Sequence, residues 1–208
     1  MIIDCISDLH GYFPKLEGGD LLIVAGDFCS DSYASHQLEF LSWIQNQNYK
    51  KKVFVAGNHD TWLEGVKHDF SNLRLCYLSD SGTEFEGLKI WGSPWTKSFE
   101  GMNPNCKAFT LETEKELEEK WELIPDDTDI LITHSPPFGC FDVTNTGESV
   151  GSLSLWMTEV IIRPKLHVFG HIHEAYGNEK HHNGIYLINA SYVNRYYKPG
   201  NPPIRVVL

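Results

Sequence analysis

Eight polar residues stand where short apolar runs stop. Asp8 and His10 follow "MIIDCIS", Asp27 follows "LLIVAG", Asn58 and His59 follow "KVFVAG", His134 follows "DILIT", and His171 and His173 follow "KLHVFG". In an extended chain, residues two apart share a face, so His171 and His173 can converge on one small object. The donors are nitrogen and oxygen without thiolate, a set that suits manganese, zinc, iron or cobalt rather than a thiolate zinc site. Leaving His59 aside, seven donors are more than one ion uses, whereas two ions sharing a carboxylate would use them well. Five of the ten histidines fall in this set. The others, His36, His68, His167, His181 and His182, lack such a context and read as surface or packing residues.

Something must bring these positions together. The five runs are short, rich in Ile, Val, Leu and Phe, and stopped by glycine or a polar residue, as buried strands are. In open α/β sheets the C-terminal ends of strands gather around ligand crevices. Between the runs lie helical segments. "SHQLEFLSWIQNQ" offers Leu38, Leu41, Trp43 and Ile44 as a buried face. "TLETEKELEEKWELI" offers Leu117, Trp121 and Ile124, with its acidic residues as a solvated face. "SLSLWMTEVII" stops before Pro164. "TEFEGLKIWGS" reads as a hairpin turning at Glu86-Gly87, Asn183-Gly184 marks a second tight turn, and "PPIRVVL" reads as a closing strand. The pattern predicts a layered α/β fold, two sheets between helices, as one domain over residues 1–208.

The composition fits a soluble globular chain: 208 residues, 41% hydrophobic and 22% charged. A formal net charge of −11 argues against nonspecific binding to duplex nucleic acid or an anionic membrane. A bound metal can still reverse the local potential for a small anionic substrate. No apolar run approaches membrane-spanning length, and the N-terminus lacks the features of a signal peptide. Five scattered cysteines without a CxxC pair predict reduced thiols and a cytoplasmic protein, with Cys29 a packing residue.

The segments "SDLHG", "AGDF", "AGNHD", "THSPP" and "GHIH" resemble, in order, the motifs of the calcineurin-like metallophosphoesterase superfamily. The flanks "IWGSPW", "RPKLHVFGHIHEAYG" and "NPPI" are similar to the metallophosphoesterase-domain-containing (MPPED-like) phosphodiesterases, over nearly the whole chain. The resemblance implies a four-layer αββα sandwich of two mixed β-sheets flanked by helices. It implies two divalent ions, manganese first, with iron, zinc, cobalt or nickel as alternatives. Asp8, His10 and His173 would hold one ion, and Asn58, His134 and His171 the other, with Asp27 bridging. His59 would stay off the metals as general acid toward the leaving group, and Asp60 would orient His59. Asn58, His59 and His171 would also touch substrate. Many members carry an acid three residues after the bridging Asp, where this chain has Ser30, followed by Asp31. "GDFCSD" lacks the "DRG" continuation of Ser/Thr phosphatases.

These expectations converge on a phosphodiesterase acting on nucleotides such as cyclic nucleotides by attack of a metal-bridging hydroxide. Alternatives are a broad phosphomonoesterase, a single-strand nuclease or a non-catalytic metal-binding scaffold. Trp95 and Phe141 offer aromatic faces to a nucleobase, with apolar packing the simpler reading. Lys97 and Arg195 are candidate phosphate contacts, with solvent exposure the default. Gly26, Gly57 and Gly170 precede ligands where the backbone must approach closely.

Overall fold

The computed structural model describes residues 1–30, 34–99, 101–181 and 184–208, so Asp31, His182 and Asn183 lie outside the described residues. In chain order the elements are β1 (Ile2–Ile6), β2 (Gly19–Ala25), α1 (Ala34–Gln45), β3 (Tyr49–Val55), β4 (Cys76–Tyr77), β5 (Ser81–Phe85) and β6 (Leu88–Ser93). Then come β7 (Thr96–Lys97), β8 (Thr110–Leu111), α2 (Glu114–Trp121), β9 (Ile130–Thr133), α3 (Leu153–Ile162) and β10 (Leu166–Phe169). β11 (Gly177–Lys180), β12 (Tyr186–Asn189) and β13 (Ile204–Val207) complete the chain.

Two mixed sheets result. The first has the order β13-β1-β2-β3-β4, parallel except for the closing strand β13, which runs antiparallel to β1. The second has the order β11-β12-β10-β9-β6-β5, with a parallel centre and antiparallel hairpins at both edges. The hairpin β5–β6 turns at Glu86 and Gly87, both at positive φ, which is the twist a tight hairpin needs.

Side-chain alternation divides β2 between two layers. Leu21, Ile23 and Ala25 face Ile90, Ile132, Val168 and Ile188 in the core between the sheets. Leu22 and Val24 face outward into a second cluster with Phe40 and Ile44 of α1. On the far side, Leu117, Trp121 and Leu155 of α2 and α3 cover Leu131 of β9. These four layers make the αββα sandwich. Each fully buried Leu, Ile or Val contributes roughly 1.5–3 kcal/mol relative to exposure. One residue of the expected helix face differs: Leu38 is 71% exposed, whereas Ile44 is buried as expected, with Leu41 and Trp43 packed against the same cluster and Phe40 added to it. Phe40 stacks on Phe28 at 3.7 Å between centroids, which rotates the helix away from Leu38. A capping box of Thr113 and Glu116 starts α2, and Ser152 caps α3.

The sheets meet at one end. Just past β1, the Ser7 N–H donates to the Ala190 carbonyl beyond β12, 2.9 Å away. That junction joins the C-terminal ends of the parallel strands of both sheets.

Candidate metal centre

Every strand-end residue singled out in the sequence arrives at this junction. The backbone there is unusual. Asp8 (φ 52°), His10 (φ 43°), Asp27 (φ 52°) and His171 (φ 69°) all take the left-handed conformation. For non-glycine residues each costs on the order of 1–2 kcal/mol, so four together mark a constrained site. The turns are pinned by main-chain bonds, Asp8 N–H to the Gly26 carbonyl at 2.9 Å and His10 N–H to the Asp27 carbonyl at 3.0 Å. Two glycines make room for carboxylates. A Cβ on Gly57 would lie 2.2 Å from Asp27 Oδ1, and one on Gly170 2.2 Å from Asp8 Oδ2.

The donors fall into groups whose ligand atoms lie within 4.8 Å of one another: Asp8, His10 and His173; His10, Asp27 and His59; and Asp27, His134 and His171. Asp27 belongs to two of them. His171 and His173, two residues apart, fall in different groups. Asn58 joins through its Oδ1, 3.2 Å from His134 Nε2. Its Nδ2 donates to the Cys106 carbonyl at 2.9 Å, which turns the amide oxygen inward.

Hydrogen-bond logic shows what these groups lack. The Ala25 carbonyl, 2.9 Å from His134 Nδ1, can only accept, so Nδ1 carries the proton. In the neutral ring Nε2 is then a lone pair, yet it faces Asp27 Oδ2 at 3.2 Å and Asn58 Oδ1 at 3.2 Å. Three acceptors converge on one buried point, and a cation belongs between them. A proton can stand in. Burial opposes charge on His134, but the facing Asp27 carboxylate overrides it and lifts the imidazole to about 9. The second group repeats the pattern. His173 Nε2 lies 3.3 Å from Asp8 Oδ1 and 3.2 Å from His10 Nε2. Burial works against charge on His173 as well, and Asp8 raises it. Desolvation drives both the buried His10 and the half-buried His171 down to about 3, and they stay neutral, as metal ligands must. Burial opposes ionisation of Asp27, yet His134 and His59 hold it well below the usual carboxylate range. This donor chemistry fits divalent ions.

Around the donors, the His171 N–H donates to Asp8 Oδ2 at 3.1 Å and the Ser191 hydroxyl lies 2.8 Å from the same oxygen. Such contacts fix ligand orientation. Ser191 carried no motif in the sequence. His59 sits at the mouth, its side chain 12% exposed and its Nε2 4.0 Å from Asp27 Oδ2. Asp60 is placed differently from expectation. Its fully buried carboxylate accepts main-chain N–H bonds from Asp27 (2.9 Å), Cys29 (3.1 Å) and Gly57 (2.8 Å). It braces the loops that carry Asp27 and Asn58, and no hydrogen bond joins it to the His59 ring among the described residues.

The centre opens into a cleft of about 1370 Å³. Lys97 lines it, but Trp95 and Phe141 do not. Trp95 donates to Asp80 and carries Lys120 over its ring, and Phe141 packs with Cys140, Phe169 and Leu187. Arg195 turns to the Tyr196 hydroxyl and ring. His167 is a core residue held by Thr133 and Glu159. Tyr197, unremarked in the sequence, brings its ring centroid to 4.9 Å from both His10 and His173.

The sequence has relatives that match this architecture. The family described as calcineurin-like phosphoesterase matches residues 1–175. Human metallophosphoesterase domain-containing protein 1 is 37% identical over 233 aligned positions, covering 98% of this chain and 70% of that protein. The Caenorhabditis elegans UPF0046 protein T07D4.2 is 34% identical, covering 83% of this chain and 51% of that protein. Among solved structures, the phosphopantetheinyl hydrolase of Mycobacterium tuberculosis aligns with a TM-score of 0.62 at 16% identity, over 94% of this chain and 90% of that one. At that identity the likeness bears on the fold alone.

Proposed function

The chain belongs to the calcineurin-like phosphoesterase family, whose members are metal-dependent phosphoester hydrolases, and from that premise we propose that it cleaves phosphodiesters with two divalent ions. The observation that carries this reading is the convergence of lone pairs on either side of Asp27. Asp8, His10 and His173 would hold one ion and Asn58, His134 and His171 the other, with Asp27 placed to serve both. When bound, a pair of divalent ions supplies a hydroxide nucleophile at neutral pH and neutralises charge on the phosphoryl oxygens. Manganese is the first candidate for a set of imidazole, carboxylate and amide donors.

The chain's own residues do the rest. Asn58, His59 and His171 border the cleft and orient the phosphoryl group. As the bond between phosphorus and the leaving oxygen breaks, the electron pair passes to that oxygen. A proton from His59 neutralises it. Asp60 holds Asp27 and Gly57 in register through their N–H groups. The cleft is large enough for a nucleotide, which supports nucleotide substrates, cyclic nucleotides among them. No helix among the described residues is long and apolar enough to cross a membrane. The five cysteines form no disulfide and four of them are buried, which supports a reducing compartment such as the cytoplasm. The test is hydrolysis of bis-p-nitrophenyl phosphate by chelated protein before and after addition of Mn²⁺. Restored turnover is expected, and full activity in metal-free protein would overturn the reading.

A further inference from the structure

One carboxylate of the cleft is held by a single oxygen. Glu114, the first residue of α2, is half-buried and lines the cleft together with His10, Asp27, Asn58 and His171. Its Oε1 accepts three hydrogen bonds at the start of α3: from the Ser152 and Ser154 hydroxyls, each at 2.6 Å, and from the Ser154 N–H at 2.9 Å. The Ser152 hydroxyl is itself fixed, since it accepts the Trp121 indole N–H at 3.0 Å and the Leu155 N–H at 3.2 Å. Oε1 is therefore fully used. Oε2 makes no hydrogen bond among the described residues and is not sealed from solvent.

That carboxylate is ionised. Burial opposes its charge, but the Ser152 and Ser154 donors override burial and hold Glu114 below the ordinary carboxylate value, with the Lys97 ammonium adding to the effect. An ionised carboxylate only accepts, and an ammonium only donates. Lys97 lines the same cleft and makes no ion pair with Glu114 among the described residues, although its charge acts on that carboxylate. An acceptor and a donor thus stand apart in one cleft, neither satisfied by the other. Main-chain bonds tie this corner to the metal donors. Ser152 N–H donates to the Pro136 carbonyl at 3.0 Å, two residues past His134. Ala108 N–H donates to the Asn58 carbonyl at 3.2 Å, and the next carbonyl, of Phe109, accepts the Thr96 N–H at 2.9 Å.

We propose that Glu114 is a specificity-determining residue whose open oxygen accepts hydrogen bonds from the donor edge of a nucleobase, and that the base it selects is of the guanine type. This rests on the phosphodiesterase reading and names the substrate within it. Guanine presents two adjacent donors, N1–H and the 2-amino group, beside the acceptor O6. The donors suit a carboxylate oxygen, and O6 suits the Lys97 ammonium. Adenine and cytosine place a bare ring nitrogen beside their amino group, and that lone pair repels a carboxylate. Uracil flanks its one N–H with two carbonyls. A site that hydrogen-bonds a substrate N–H discriminates against an analogue lacking it, because its own polar group loses a partner.

The test compares 3′,5′-cyclic GMP with 3′,5′-cyclic IMP, which differ only by the 2-amino group, on Mn²⁺-loaded protein. The wild type should favour cyclic GMP in kcat/KM by about tenfold. Glu114→Gln separates this role from a purely structural one. The Ser154 N–H can only donate, so it keeps the amide carbonyl inward and leaves the amide NH₂ in place of Oε2. The cap on α3 survives and the thermal midpoint should stay close to that of the wild type. An acceptor has become a donor, however, so the preference for cyclic GMP should vanish or reverse. Equilibrium binding of 5′-GMP and 5′-IMP gives a readout independent of turnover, with the same margin expected in the wild type and lost in the variant. Equal preference for the paired ligands in the wild type would overturn the proposal with no variant needed. So would a margin unchanged in metal-replete Glu114→Gln. Where the cyclic nucleotides are not hydrolysed, the margin between GMP and IMP decides the role of Glu114. Absence of turnover on bis-p-nitrophenyl phosphate as well would sink the phosphodiesterase reading without touching that margin.

Discussion

His134 Nε2 and Asp27 Oδ2 face each other across 3.2 Å, while the other nitrogen of that imidazole is committed to the Ala25 carbonyl. Without an ion, a proton must occupy the gap, and this sets the pH response of the metal-free protein. His134 is lifted from the ordinary 6.5 to about 9 by Asp27 against the effect of burial. Its contribution to stability is complete below pH 6.5 and is lost as pH rises through about 9. His10 and His171 act oppositely. Desolvation drives both down to about 3, so their contribution is complete above pH 6.5 and is lost as pH falls toward 3. The thermal midpoint of chelated protein should therefore be highest near pH 6.5 and fall on either side. Mn²⁺ should remove the alkaline decline, because the ion takes the place of the proton. A midpoint that is flat or rising from pH 6.5 to 9 in chelated protein would contradict this.

His59→Ala should retain its metals and lose roughly 10²-fold or more in rate on a nucleotide ester, whose alkoxide leaving group needs a proton. Its loss on a nitrophenyl ester should be clearly smaller, since nitrophenolate leaves unaided. Steady-state rates on both substrates, with elemental analysis of the variant, check this. Equal losses would assign His59 to phosphate binding instead.

Asp60→Ala strips the acceptor from three buried N–H groups, at about 1–3 kcal/mol each. The variant should be destabilised by about 3 kcal/mol or more in denaturant unfolding and should bind Mn²⁺ more weakly, because the Asp27 turn loosens. Its rate loss should be the same for good and poor leaving groups. A loss confined to poor leaving groups would return Asp60 to the role of orienting His59.

The strand ends were legible because a buried strand must be apolar until it leaves the sheet, so a carboxylate or imidazole at its end is conspicuous. That signal led from Asp8 to His173 without coordinates. Other features carried no such mark. Leu38 and Phe40 both fit a helical stripe, and only the stack of Phe40 on Phe28 decides which faces inward. The acceptors of Asp60 are hidden because its partners are main-chain groups, two of them some thirty residues away in sequence. Trp95 and Tyr197 are alike as letters. Trp95 is drawn into the packing by Asp80 and Lys120, whereas a hairpin between Val193 and Pro199 carries Tyr197 to the donors.

The central claim is that two ions sit on either side of Asp27, with His171 and His173 on different ions. Anomalous X-ray diffraction from Mn²⁺-loaded crystals tests it most directly. The account predicts two peaks, one bounded by Asp8, His10 and His173 and the other by Asn58, His134 and His171, both in contact with the Asp27 carboxylate. A single peak in fully loaded crystals, or both imidazoles of His171 and His173 on one ion, would contradict it.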